Sequence, residues 1–190
     1  MGFFDALLGR SKPAQANLDQ LFALSSAAVT LQASMDLQGQ GDAAVCFKPA
    51  SGIAFSDVEA ELSAVLDIDG AAEAGRSWKR SDDEYGYQWI VLHSDSLEDV
   101  VTKAHMVNAS LQDAGFGPQL LCSAFSFTGP DAPLYLIYLY KRGTFYPFAP
   151  RSGQRRDNEA ELRLRALAGK DLPIEQDVSR WFPLWGMPLD

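Results

Sequence analysis

Apolar residues recur along this chain at two periods, one helical and one extended. Val58, Leu62, Val65 and Leu66 fall at i, i+4, i+7 and i+8, the spacing of one helix face. Ser56 and Glu59 supply a capping box at its start, and Asp69-Gly70 ends it. A longer stripe of Leu97, Val100, Val101, Ala104, Val107 and Leu111 predicts a helix from about Ser96 to Ala114. Asp95 and Glu98 fit its cap and partner, Gly115 fits the C′ position, and Pro118 lies just beyond. An earlier helix is expected where Asn17 and Gln20 form a capping-box pattern and Leu18, Leu21 and Phe22 share a face. A last one is expected between Asp157 and Gly169, with Ala160, Leu164 and Leu167 inward.

The extended segments lie between these helices. Val29–Gln32 reads as a short strand, Gly39 and Gly41 as a turn, and Ala43–Lys48 as a second strand stopped by Pro49. Arg76–Arg80 and Tyr85–His93 predict a hairpin across Ser81-Asp82-Asp83-Glu84. Leu120–Thr128 and Leu134–Arg142 predict another across Gly129–Pro133. The run Leu134–Tyr140 is apolar on both faces, which requires cover on each side. Hairpins separated by helices predict an α+β single domain, a mainly antiparallel sheet with helices packed against it. Residues 1–12 form an apolar-then-basic arm. Residues 13–190 form the domain and end in a proline- and aromatic-rich tail, 171–190.

Charge and composition narrow the function more than the fold. A net charge of −9 argues against general nucleic-acid binding, which needs clustered cations to meet phosphate. Cys46 and Cys122 each lie in an apolar run without a CxxC partner and read as buried thiols in a reducing compartment. No run of ~18 apolar residues spans a bilayer, and the N-terminus lacks the basic and apolar regions of a secretory signal. The expected location is cytoplasmic.

Motifs for chemistry are missing. His93 and His105 have no metal-ligand spacing and read as structural histidines. Asp67-Ile68-Asp69-Gly70 has only part of a calcium loop and reads as a helix-ending turn. Neither a GxSxG elbow nor a phosphate loop occurs. The expectation is a protein that is not an enzyme, with no catalytic residues, cofactor or metal.

Three segments invite a partner. Between positions 141 and 165 the chain places Lys141, Arg142, Arg151, Arg155, Arg156, Arg163 and Arg165, with Phe145, Tyr146 and Phe148 among prolines. Arginines and aromatic rings are enriched in interface cores, so Lys141, Arg142, Phe145, Tyr146, Phe148, Arg151, Arg155 and Arg156 form the candidate partner-binding set. The competing reading is a proline-stiffened loop whose rings pack under the sheet while its arginines are solvated. The tail around Trp181, Phe182, Leu184, Trp185 and Met187 either docks on its own domain or anchors a partner. In the arm, Phe3, Phe4, Leu7 and Leu8, followed by Arg10 and Lys12, either lie in a membrane interface or contact protein.

The strings MGFFDALLGRSKP, LDQLFAL, GFGPQLLCS, YLYKRGTFYPFAP, RRDNEAELR and DLPIEQDVSRWFPLWGMP resemble the PspA-associated protein PspAB family of bacterial phage-shock, envelope-stress systems. The resemblance covers nearly the whole chain, with 33–84 carrying little of it. It implies an accessory partner of PspA, a coiled-coil protein that assembles on the inner membrane face under stress. It transfers no catalytic residue. The expected function is a cytoplasmic adaptor that binds a PspA-type coiled-coil protein through the basic-aromatic stretch, because coiled-coil surfaces are rich in exposed acids. The alternatives are a peripheral membrane-surface sensor using the arm at the inner membrane face, or a small-molecule enzyme without recognisable motifs. A homodimer is a further expectation.

Overall fold

A computed structural model describes residues 18–48, 55–66 and 78–189. After a short 3-10 turn at Leu18–Phe22, the elements are α1 (Ala23–Met35), β1 (Gln38–Phe47), α2 (Phe55–Leu66), β2 (Trp78–Asp82), β3 (Gln88–His93), α3 (Leu97–Leu111), β4 (Leu120–Thr128), β5 (Pro133–Leu139), β6 (Thr144–Phe148), a two-residue hairpin β7 (Pro150–Arg151) and β8 (Arg155–Arg156), and α4 (Asn158–Ala168). The main sheet is antiparallel, in the order β2-β3-β1-β4-β5-β6. The fold is therefore α+β. The arm residues Phe3, Phe4, Leu7 and Leu8, the cap at Asn17, and the turn at Asp67–Gly70 lie outside the described residues.

Each period of the sequence builds its element where the burial agrees with it. In α3, Leu97, Val100, Val101, Ala104, Val107 and Leu111 are all buried. The cap falls one residue later than expected: Ser96 Oγ accepts from the Asp99 N–H at 3.1 Å, so the pair is Ser96 and Asp99, not Asp95 and Glu98. Past α3 the chain makes a π-type turn, and Gly115 leaves the helix at φ 89, the left-handed conformation that glycine adopts without steric cost.

Two expectations near the start are corrected. Val29–Gln32 belongs to α1, because Leu24, Ala27 and Leu31 form a buried helical stripe while Val29 points to solvent. Asp36, at φ 53, ends that helix, and Gly39 and Gly41 lie inside β1. The register of β1 on β4 slips between Gly39 and Ala43, the mark of a bulge. A Cβ on Gly41 would lie 1.8 Å from the Ser94 carbonyl oxygen, so this position admits only glycine against the neighbouring backbone.

Among the described residues four helices share one face of the sheet. α3 lies over β1, β3 and β4, α1 bridges α3 to α4, α2 flanks α3, and α4 covers β6. Leu134–Tyr138 of β5 are all buried, and the opposite cover is the chain's own C-terminal tail. It runs along β6 first: Phe145 pairs with Ile174 in a parallel bridge, with Phe145 N–H donating to Pro173 O and Glu175 N–H to Phe145 O, each at 2.8 Å. It then crosses the face away from the helices, where Trp185 meets Phe148 edge-on at 5.0 Å and Tyr146 Oη donates to Phe182 O at 2.9 Å. The tail thus docks on its own domain. Trp181 and Met187 are buried and Phe182 is exposed.

Candidate functional site: a cavity beneath the tail

The stretch from Lys141 to Arg165 is not one outward-facing block. Phe145, Tyr146 and Phe148 are buried in β6 at 0%, 1% and 1% exposure, because successive side chains of this strand meet the helices on one face and the tail on the other. Burial pushes the Tyr146 hydroxyl well above its usual range. Arg142 Nε donates to Glu175, and its Nη2 reaches the other carboxylate oxygen at 3.2 Å. Arg151 Nη2 lies 2.5 Å from Asp157 Oδ2. Asp157 caps α4 by accepting from Ala160 N–H at 3.0 Å, and that bond, with Arg151 second, holds its carboxyl below the usual range.

Arg156 is the most enclosed of these cations. Its Nε donates to Glu161 Oε1 at 2.9 Å, Nη1 to Trp181 O and Nη2 to Pro147 O at 3.2 Å, and its guanidinium lies 5.4 Å from the centre of the Phe148 ring. Glu161 also accepts from Ala149 N–H at 2.9 Å. Burial is the larger influence on this carboxyl and raises it, against the pull of Arg156. This arginine ties β6, α4 and the tail together. Lys141 and Arg155 differ: both are exposed, and neither has a carboxylate partner among the described residues. Of the candidate set, then, the rings are buried, three arginines are held by carboxylates of the fold, Arg142 from a still exposed position, and two cations have no carboxylate partner among the described residues.

The concave feature lies elsewhere, between the tail and the sheet face turned away from the helices. A cavity of about 800 Å³ opens there. Its floor is Cys46 of β1, Trp89 of β3, Cys122 and Leu121 of β4, Leu139 of β5 and Tyr146 of β6. Phe182, Pro183, Leu184, Trp185 and Met187 of the tail form its roof. Its ends are the β2–β3 turn, with Asp83, Tyr85 and Tyr87, and the β5–β6 turn, with Lys141 and Arg142; Arg180 joins from the tail.

Two sequence-distant features meet at that floor. Cys46 and Cys122 are directly opposed in the β1–β4 register, both free and both buried. The Cys46 thiol is pushed well above its usual range, first by its hydrogen bond to Cys122 and then by burial. Immediately beside them the register slips between Cys46 and Phe47, leaving Leu121 without an opposite residue on β1. That bulge lets Leu121 and Cys122, neighbours in sequence, line the same cavity. Nothing in the spacing of the two cysteines announces their meeting. The tail's cluster of rings and the doubly apolar run of β5 were the signals that something must cover this face.

Among the described residues Asp83 is the only carboxylate in the lining, and its own turn consumes it. Its Oδ1 accepts from the N–H groups of Tyr85 and Tyr87, each at 2.9 Å, and its Oδ2 accepts from the Trp89 indole at 3.0 Å. His93 and His105 sit apart from the cavity, His93 Nδ1 lying 2.5 Å from Asp42 and His105 Nε2 3.7 Å from Asp19. Among the described residues no three metal-ligating side chains converge, and no helix is long and apolar enough to cross a membrane.

A family model described as PspAB, PspA associated protein B, matches residues 1–189. No curated protein and no solved structure matches the chain.

Proposed function

Because this chain belongs to the PspAB family, PspA associated protein B, across residues 1–189, we propose that it is a non-enzymatic accessory protein that binds a PspA-type coiled-coil protein in an envelope-stress response. The whole-chain match carries this reading. The site of action that goes with it is cytoplasmic, at the inner face of the membrane where such a partner assembles. Lys141 and Arg155 are the contact we assign. Within the candidate set they are the exposed cations without an internal carboxylate among the described residues; further along the stretch, Arg163 donates to Ser34 O and Arg165 lies over the Trp181 ring. An acidic coiled-coil flank is their complement, and rim charges of this kind set encounter rate and salt dependence more than final affinity.

Purified chain and purified PspA-type protein should co-elute, with association weakening as salt rises. The double variant Lys141→Glu and Arg155→Glu should bind more weakly and lose most of that salt sensitivity. Unchanged binding by the variant removes these residues from the contact. Absence of binding by the unmodified chain removes the accessory reading itself.

A further inference from the structure

The cavity beneath the tail has the build of a ligand site and not of a packing defect. Its volume of about 800 Å³ falls within the range of small-molecule pockets, ~300–1,000 Å³, and far exceeds the voids of a close-packed interior. Its walls give water little to bind. Leu121, Leu139 and Trp185 are apolar surfaces, and the two thiols on the floor face each other. An ordered water needs ~2–4 polar partners, so water held here is readily displaced by an apolar group.

The polar groups are distributed with one sign. The single carboxylate of the lining among the described residues, Asp83, is saturated by three N–H donors of its own hairpin. The cations Lys141, Arg142 and Arg180 stand at the ends, and Arg142 is held by Glu175. Lys141 is exposed, with no carboxylate partner among the described residues. Arg180 pairs with Asp177 at 3.0 Å, yet its side chain remains 49% exposed. In a chain of net charge −9, this sets one cation without a carboxylate partner among the described residues, Lys141, and one half-exposed paired cation, Arg180, at the mouth of an apolar interior.

We infer that the cavity binds a single-chain anionic amphiphile. The alkyl chain lies between Leu121, Leu139 and Trp185, and the acidic head lies at Lys141 and Arg180. A fatty carboxylate and a monoacyl phosphate share this chemistry. The inference stands on the cavity alone and does not depend on association with a PspA-type protein.

Trp89 and Trp185 line the site, so binding is read directly as tryptophan fluorescence of the full chain. Titration with palmitate and with palmitoyl lysophosphatidate, both below micelle formation, should give saturable changes; a response to only one of the two identifies the head group. The uncharged palmitoylglycerol should bind about tenfold or more weakly, and inorganic phosphate alone should give no change. Lys141→Glu should weaken palmitate binding about tenfold and leave palmitoylglycerol binding unaltered. That position is exposed, so the variant folds. Leu139→Trp, with its melting temperature measured alongside, should fill the cavity and remove binding of both. No saturable response to either anionic probe overturns the proposal. So does equal binding of charged and uncharged probes with no effect of Lys141→Glu.

Discussion

Arg155 and Arg156 are adjacent in sequence and opposite in energetic role. Arg155 is exposed and bonds only the nearby Ser152 carbonyl, whereas Arg156 neutralises a carboxylate on the buried side of α4. Removing one partner of a buried pair strands the other charge, at a cost of roughly 3 kcal/mol or more. Denaturant unfolding of Arg156→Ala should therefore show a loss of about 3 kcal/mol, and that of Arg155→Ala a change within about 0.5 kcal/mol. The Arg156→Ala deficit should shrink from pH 8 to pH 5, because a buried Glu161 without its cation takes up a proton there. The doublet is silent about this difference, but the helix is not. Glu161, Leu164 and Ala168 form its buried stripe, and a carboxylate on such a stripe demands a buried donor. Reading Ala160 and Leu167 as the inward residues, both in fact only half-buried, hid that signal.

Two further residues carry consequences of the same kind. The Arg142 guanidinium is the largest influence holding the Glu175 carboxyl below its usual range. A depressed carboxylate stabilises the fold above its unfolded pKa, and that contribution is lost as pH falls through the folded one. Glu175→Gln should lower the melting temperature by a few degrees near neutral pH, and its melting curve should converge on that of the unmodified chain as pH falls below the usual glutamate range. The Cys46 thiol behaves in the other direction. With the Cys46 pKa raised, little reactive thiolate exists at pH 8. Iodoacetamide should label the native chain at least about tenfold more slowly than the chain in guanidinium, followed by mass; equal rates would mean that the thiols are open.

Elements were legible where one period ran long enough to dominate. The buried stripe of α3 has six matching positions, and the doubly apolar run of β5 announced cover on both faces; both stand in the structure. Failure came where local preference and tertiary position disagree. Val29 and Thr30 are β-branched, which favours strand locally, yet Leu24, Ala27 and Leu31 hold that segment in α1. Gly39 and Gly41 look like turn residues, yet they serve a bulge where β1 passes the backbone at Ser94. The tail is tied to the fold through one residue in particular. Trp181 stacks on Tyr146 at 6.5 Å, donates its indole N–H to Glu175 O at 3.0 Å and accepts Arg156 at its carbonyl. Trp181→Ala should cost about 3–5 kcal/mol in thermal or denaturant unfolding. A change below about 1 kcal/mol would show that the tail is a loose cover.

At the scale of the molecule, the sequence predicted the layers and left the order of the strands open. β1 lies between β3 and β4, partners remote in sequence, and no periodicity encodes that insertion. The cavity follows from it, since only this order sets Cys46 opposite Cys122. The family was legible in the strings that the whole-chain match confirms. The expected outward face of the basic stretch was not, because a ring-rich strand looks the same whether a partner or the chain's own tail covers it.

The two margins of the sheet have different guards. On one, residues 173–175 occupy the backbone of β6, and Pro147 has no N–H to offer. On the other, β2 is five residues long and bears Lys79, Arg80 and Asp82. Growth of the sheet by an added strand, the usual hazard of an open β-edge, is therefore blocked by occupancy at one border and by charge at the other. Among the described residues, the main sheet therefore offers a companion charge and shape at its borders more readily than shared backbone hydrogen bonds.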